Sequence, residues 1–469
     1  MTVCVICTEK RGTDGKLLAE VGCASGGEWP DVLRQGGFRA RDGIMNKVNT
    51  SQLNVMLGLV VAFLPATGLA NGMRLVSQDA FATGRGEAFV ATADNASAIY
   101  YNPAGITQLE GTQIRSGIYG LYFDPTYQPP ATAPNSGKTY HVKNNLAAAP
   151  QTFFTHTFKD SRWSYGLGLY APFGLGLEWP QDTGFRSVAI ESKLTYLRLN
   201  PVVAYKITPQ LSIAAGVTLN YADLLLEQGL RARELPFQNF FRFQGDGLSV
   251  GYNAGILWQP DAKISFGATF RSSTPFTLEG ETQFKLQPVI PDTHRDAAAD
   301  FEFPLSAAVG VSWRPTPKWN IEFDADYADW SSLGTVTIHQ ATPPPFPVRQ
   351  DIPFQLQWQP SWLYSFGATR YFDNGWHASV GYTFNQNSVP NAYYSPLVAD
   401  LDRHFVSAGV GIRGRKYDVD VAYQFGYGPD RTVTGSTPPS QPGQFAGQTA
   451  DGTYGFISHA IFVTVGIRF

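Results

Sequence analysis

The sequence predicts an all-β protein, a fourteen-stranded antiparallel β-barrel that crosses a membrane. Three observations predict it. From about residue 113 onward, successive segments alternate apolar with small or polar residues at period 2. Short and long connections between these segments alternate strictly, as in barrels with tight turns at one rim and long loops at the other. The final segment places Ile461, Val463, Val465, Ile467 and the terminal Phe469 on one apolar face. Composition agrees: aromatic residues are 14% and charged residues 16% of the 469, with 47 glycines. The sequence holds no run of about 20 consecutive apolar residues, which a membrane-spanning helix needs.

The N-terminal part divides before the first strand. Residues 45–70 read as a secretory signal: Met45, the cation Lys47, the apolar run Val55 to Leu64, then Gly68-Leu69-Ala70 with small residues at the cleavage positions. Residues 1–44 are expected to be an upstream-start extension rather than part of the mature protein. All three cysteines, Cys4, Cys7 and Cys23, fall in that extension. The expected mature chain is therefore cysteine-free, as suits an exported barrel. Cys4-x-x-Cys7 has no second ligand pair, so neither metal nor cofactor is expected.

The alternation places the strands near 113–124, 150–158, 162–171, 192–206, 210–224, 247–258, 262–272, 304–314, 318–330, 357–371, 375–386, 403–414, 417–428 and 457–469. In the ninth, Trp319, Ile321, Phe323, Ala325 and Tyr327 share one face, and Asn320, Glu322, Asp324 and Asp326 the other. Three acids on one face suit a wall with lipid on one side and a watery lumen on the other. Short turns fall at Asp160-Ser161, Thr208-Pro209, Pro260-Asp261, Pro315-Thr316-Pro317, Asp373-Asn374 and Arg415. Long connections are expected near 125–149, 172–191, 225–246, 273–303, 331–356, 387–402 and 429–456. An even strand number puts both ends of the barrel chain on the short-turn side.

Several function classes are disfavoured. The net charge of −3 supplies no basic patch, so nucleic acid is not an expected partner. The seven histidines show no HExxH spacing. His156 and His377 fall on strands without an evident serine partner. The chain reads as a non-enzyme.

Particular motifs carry a family resemblance. Asp94-Asn95-Ala96-Ser97-Ala98-Ile99-Tyr100-Tyr101-Asn102-Pro103-Ala104-Gly105, preceded by Gly84-Arg85-Gly86-Glu87-Ala88, resembles the signature of the FadL (OmpP1/FadL/TodX type) long-chain fatty acid transporter family. Tyr170 to Gly176, Trp319 to Trp330, and Asn385 to Pro390 followed by Asp400-Leu401-Asp402-Arg403 are similar to later parts of the family pattern, in order. The resemblance implies that residues 71–112 form a hatch plugging the lumen of a barrel at 113–469, in the bacterial outer membrane. It implies uptake of a hydrophobic small molecule, a fatty acid or, alternatively, an aromatic hydrocarbon. Loops capture the molecule, the lumen binds it, the hatch moves, and the molecule leaves sideways at a kink in the third strand. Outer-membrane lipid and lipopolysaccharide would surround the wall, and the aromatic C-terminal strand resembles the signal read by the barrel assembly machinery. A surface-exposed binding protein or adhesin on a closed barrel is the reading from another class.

Four groups of residues are candidates for the path. Leu235, Phe237, Phe240, Phe241 and Phe243, in the expected 225–246 loop, would capture an apolar ligand or pack on one another. Pro172, Phe173, Gly174 and Gly176 favour a break at the end of the third strand, since proline cannot donate to a ladder and glycine weakens it. Asn102, Pro103 and Ala104 form a hinge or a fixed corner of the hatch. Arg198, flanked by outward Leu197 and Leu199, and Arg271 are lumenal cations for a substrate carboxylate, or members of a salt-bridge network with acids such as Glu322.

Overall fold

The computed structural model describes residues 10–11, 17–18, 72–230, 239–286, 290–342, 349–437 and 448–469. The chain divides into two compact units, 1–61 and 62–469. In the first, Lys10–Arg11 pairs antiparallel with Leu17–Leu18. The expected signal segment 45–70 and most of the extension lie outside the described residues.

The second unit is a closed antiparallel barrel of fourteen strands. These are β1 (Gly111–Gln128), β2 (Leu146–Thr157), β3 (Trp163–Tyr170 and Gly174–Glu178), β4 (Glu191–Lys206), β5 (Leu211–Gly229), β6 (Phe240–Trp258) and β7 (Ile264–Arg271 and Thr274–Leu286). There follow β8 (Ile290–Phe303 and Ser306–Trp313), β9 (Trp319–Ala328 and Thr335–Gln340), β10 (Asp351–Gln355 and Ser361–Tyr371), β11 (Trp376–Asn385), β12 (Arg403–Arg413), β13 (Tyr417–Val433) and β14 (Gly452–Arg468). β14 closes the barrel on β1, from Thr453 opposite Gln128 to Arg468 opposite Gln113.

Every expected strand is present, and the short turns fall where the sequence puts them. Several strands run further toward the long-loop rim than expected. Residues 225–229 and 240–246 pair as parts of β5 and β6, and Thr274–Leu286 of β7 pairs with Ile290–Phe303 of β8. Outlying segments of β9 and β10 occupy much of 331–356. The reason is a reversal of polarity along the strands. On β5, Ile213, Val217 and Leu219 are exposed toward lipid while Ser212, Thr218 and Asn220 are buried inward. Above Tyr221, Ala222 and Leu224 point inward and Asp223 outward. On β7, Phe276 and Leu278 are buried and Thr277 and Glu279 exposed. Reading for an apolar outer face therefore ends the strands at the level where the sign changes.

Residues 72–110 lie inside the wall. They form α1 (Ala80–Gly84), α2 (Ala98–Tyr101) and a 3-10 turn (Pro103–Gln108). Nearly all of these residues are buried. The segment fits because glycine replaces side chains where backbones meet. A Cβ on Gly381 of β11 would lie 2.1 Å from the backbone of Arg85 and Gly86. Gly86 itself has φ +64, a left-handed conformation that glycine takes without strain.

Candidate functional site

The lower lumen, near the short turns, is polar and filled by the N-terminal segment. Asp79 caps α1, accepting from the backbone N–H groups of Phe81 and Ala82. Arg115 of β1 donates to Asp79, to Asp418 Oδ2 at 2.5 Å and to Asp420 Oδ2 at 2.7 Å. His377 Nε2 lies 2.7 Å from Asp420 Oδ1. Across the lumen, Asp324 Oδ2 accepts from Phe89 N at 2.7 Å and Val90 N at 2.9 Å. Glu322 Oε1 accepts from Ala91 N at 2.7 Å, and its Oε2 from Arg85 Nη2 at 3.1 Å. Arg413 is bidentate to Asp94. The acids of the ninth strand thus fasten the segment's backbone, which sequence reading missed. Period-2 patterning shows that a side chain faces the lumen and carries no information on what it meets there.

The Asn-Pro-Ala motif is a corner. Asn102 caps the 3-10 turn through Ala104 N, and its Nδ2 donates to Val90 O and to Ile256 O of β6, both at 2.9 Å. Gly255 makes the approach possible, since a Cβ there would lie 2.4 Å from Asn102 Oδ1. Pro103 and Ala104 are buried. Between the motif and α1, burial pushes the Glu87 carboxyl up to about 7, against the hydroxyl donors Tyr101 and Ser77.

The upper lumen is apolar. Phe173, Tyr196, Phe276 and Phe303 pack ring to ring, with Phe173 to Phe303 and Tyr196 to Phe303 both at 4.8 Å. Above them lies a cavity of about 90 Å³, lined by Met73, Leu224, Phe301, Val336, Trp358 and Leu397 among others. That is smaller than the roughly 150 Å³ apolar cavity that admits benzene, so a ligand must displace side chains to enter. Phe241 and Phe243 are buried, pointing inward from β6, whereas Phe240 stacks under the Arg242 guanidinium. These three belong to a strand and not to a loop, because inward phenylalanines continue the apolar upper core. Leu235 and Phe237 lie outside the described residues.

Arg198 and Arg271 stand at the junction of the two halves. Both are buried, at 4% and 7% exposure. Arg198 donates to Asn220 Oδ1 at 2.6 Å and Tyr196 Oη at 3.0 Å. Arg271 donates to Tyr100 O and sits 4.6 Å over the Tyr100 ring, while its Nε has no partner. Among the described residues neither has a carboxylate within ion-pair distance. The expected alternative, pairing with acids such as Glu322, does not occur, since Arg85 and the backbone of Ala91 and Thr92 occupy Glu322.

The third strand breaks between Tyr170 and Gly174, where Pro172 and Phe173 are buried. Below the break β3 pairs with β2 as far as Thr152 opposite Leu169. Above it, Gly174–Glu178 pairs with β4, and no register with β2 is present among the described residues. The wall closes again where Lys143 N donates to Glu178 O at 2.8 Å. The unpaired edges of β2 and β3 leave a lateral gap in the hydrogen-bonded wall, and a cavity of about 510 Å³ lies there. Gly176 and Leu177 line this cavity. The N-terminal segment holds the break from within: Leu75 N donates to Pro172 O at 2.8 Å, and Gly174 N to Met73 O at 2.9 Å. Arg74 then grips Asp326 of β9 with two nitrogens, at 2.9 and 2.5 Å.

Comparison with known proteins agrees with this architecture. The chain is 24% identical over 416 residues to the long-chain fatty acid transport protein of Salmonella typhi, covering 79% of this chain and 91% of that protein. It is 23% identical over 427 residues to the protein of the same name in Escherichia coli K12, with the same coverage. Among solved structures, a Pseudomonas aeruginosa FadL homologue superposes with a TM-score of 0.74 at 18% identity, over 85% of this chain and all of that one. The Pseudomonas putida toluene transporter TodX gives 0.65 at 18% identity, over 84% and 99%. The profile described as outer membrane protein transport protein (OMPP1/FadL/TodX) matches residues 61–461, and this outer-membrane β-barrel belongs to that family.

Proposed function

We propose that the protein takes up hydrophobic molecules bearing a carboxylate, and long-chain fatty acids above all. The observation that carries this is the pair of buried guanidiniums, Arg198 and Arg271, neither of which has a carboxylate within ion-pair distance among the described residues. A buried cation without a counter-charge is costly, and an arriving carboxylate would remove that cost. The tail would supply the affinity, at roughly 0.8 kcal/mol per buried methylene. Arg198 meets Asn220 on β5, and Leu224 lines the cavity four residues further along the same strand. Four residues of strand rise about 13 Å, which an acyl chain spans and one aromatic ring does not.

Release would be lateral. Met73 lines the cavity while the backbone beside it holds the third-strand break, so a ligand that displaces Met73 would loosen the bonds at Pro172 and Gly174. The hatch would thus favour one of two states according to what fills the cavity. Phe241 and Phe243 would line the upper route, and Leu235 and Phe237 the capture region above it. Lipid and lipopolysaccharide would receive the released molecule. The test is uptake of labelled oleate and labelled toluene by cells lacking their own transporter. Oleate uptake that falls on Arg198→Ala supports the reading, whereas toluene uptake alone would move it to the aromatic-hydrocarbon alternative. Uptake of neither by correctly inserted protein would sink it.

A further inference from the structure

The outer mouth of the lateral gap has an apolar lip and a cation facing each other. Leu146, 75% exposed, and Ala148 form the β2 side. Lys193 of β4 stands on the opposite side, across from Gly176, whose missing side chain leaves the mouth open toward it. The neighbouring charges are largely engaged. Lys143 Nζ holds Glu178 at 2.7 Å, with Asn144 Nδ2 at 3.0 Å from the same carboxylate. Arg242 holds Glu227. Glu191, opposite both Glu178 and Glu227, lines the same cavity and feels the charge of Lys193, with no hydrogen bond between the two.

The register adds a second observation. Tyr170, the last residue before the break, lies opposite Arg198, and Gly174, the first after it, lies opposite Thr195. On β4 the break therefore sits between Arg198, which faces the lumen, and Lys193, which faces outward five positions away. That separation is about 17 Å of strand. A single-tailed anion moving through the gap would leave one cation and meet another at the outer end.

We infer that Lys193 and the Leu146 lip form an exit site for the carboxylate head and first methylenes of a departing fatty acid. The inference rests on the uptake reading above and assigns it a second anionic subsite on the outer face of the wall. Lipid A phosphate would be attracted by the same charge, so the test separates the two sources. Initial uptake of labelled oleate and of labelled oleyl alcohol, which has the same tail without the charge, is measured for wild type, Lys193→Ala and Lys193→Arg. Lys193→Ala is expected to slow oleate by roughly two- to five-fold, the reach of one solvent-screened ion pair. Oleyl alcohol should be unchanged, and Lys193→Arg should restore oleate. The same comparison in vesicles of phosphatidylcholine, with and without lipopolysaccharide, should show the oleate effect in both. Equal loss for both substrates would make Lys193 a support of the wall, no loss for either would remove its role, and an effect confined to lipopolysaccharide vesicles would assign it to lipid A. Each of these overturns the inference. Failure of wild type to take up oleate would instead overturn the uptake reading.

Discussion

The two halves of the barrel share one hydrogen-bonded wall and have opposite polarity. In the lower half, lipid meets Val217, Val309, Phe323 and Val463, and the interior holds Arg115, Asp324, Asp418 and Asp420 against the N-terminal segment. In the upper half, Glu279, Glu281 and Asp300 face outward, and Phe276, Phe301, Phe303 and Trp330 fill the interior. The lower half is a membrane protein around a polar plug, and the upper half resembles a water-soluble barrel around an apolar core. Under the proposed function a hydrophobic solute would find its solvent in the upper half, with the charged N-terminal segment barring the way straight down. The third-strand break lies at the boundary, and under the proposed function leaving sideways there would cost the solute no passage through the ionic network.

The largest expected effect concerns the plug. Arg115→Ala would leave Asp79, Asp418 and Asp420 buried around an empty centre, and loss of one partner of a buried ion pair costs roughly 3–5 kcal/mol. Urea unfolding in detergent micelles should show a loss at least that large. A loss below about 1 kcal/mol would mean that the network does not fasten the plug.

A paired substitution tests the polarity reversal itself. Val217→Arg places a cation in lipid and should cost roughly 2–4 kcal/mol. Thr277→Arg, also on the outward face but above the reversal, should stay within about 0.5 kcal/mol. Equal costs would erase the distinction between the halves.

A smaller effect follows from Glu87. Its carboxyl titrates near 7 when buried, against an ordinary value of 4.5. The closed segment then binds more protons than an opened one between those values, so its stability is full below about 4.5 and declines as pH rises toward 7. Hydrogen exchange at residues 76–90 should accelerate from pH 5 to pH 7.5 beyond the intrinsic rate, and Glu87→Gln should abolish the excess. An excess that survives the substitution would assign it to another group.

The sequence made the lower half legible and left much of the upper half obscure. Alternation with the apolar side outward located Ser306–Trp313 and Trp319–Ala328 within two residues of their observed ends. The same rule read Phe240–Asp246 and Thr274–Phe303 as loops, because above the reversal the apolar residues point inward. The third-strand break was legible from Pro172 and Gly174, residues whose backbone chemistry opposes pairing wherever they stand. Arg198 and Arg271 were placed in the lumen by period 2 alone. That neither pairs with Glu322 was not legible, since it depends on Arg85 and the backbone of the N-terminal segment reaching Glu322 from more than 200 residues away in sequence. The grip of Arg74 on Asp326 and of Leu75 on Pro172 was hidden for the same reason.

The most direct measurement is a crystal structure with a fatty acid brominated at its terminal carbon, phased for the bromine. The account predicts the carboxylate against Arg198 and Arg271, with the bromine in the apolar upper lumen beside Leu224, Trp358 and Leu397. A bromine in the lower lumen, or a carboxylate remote from both arginines, would contradict it.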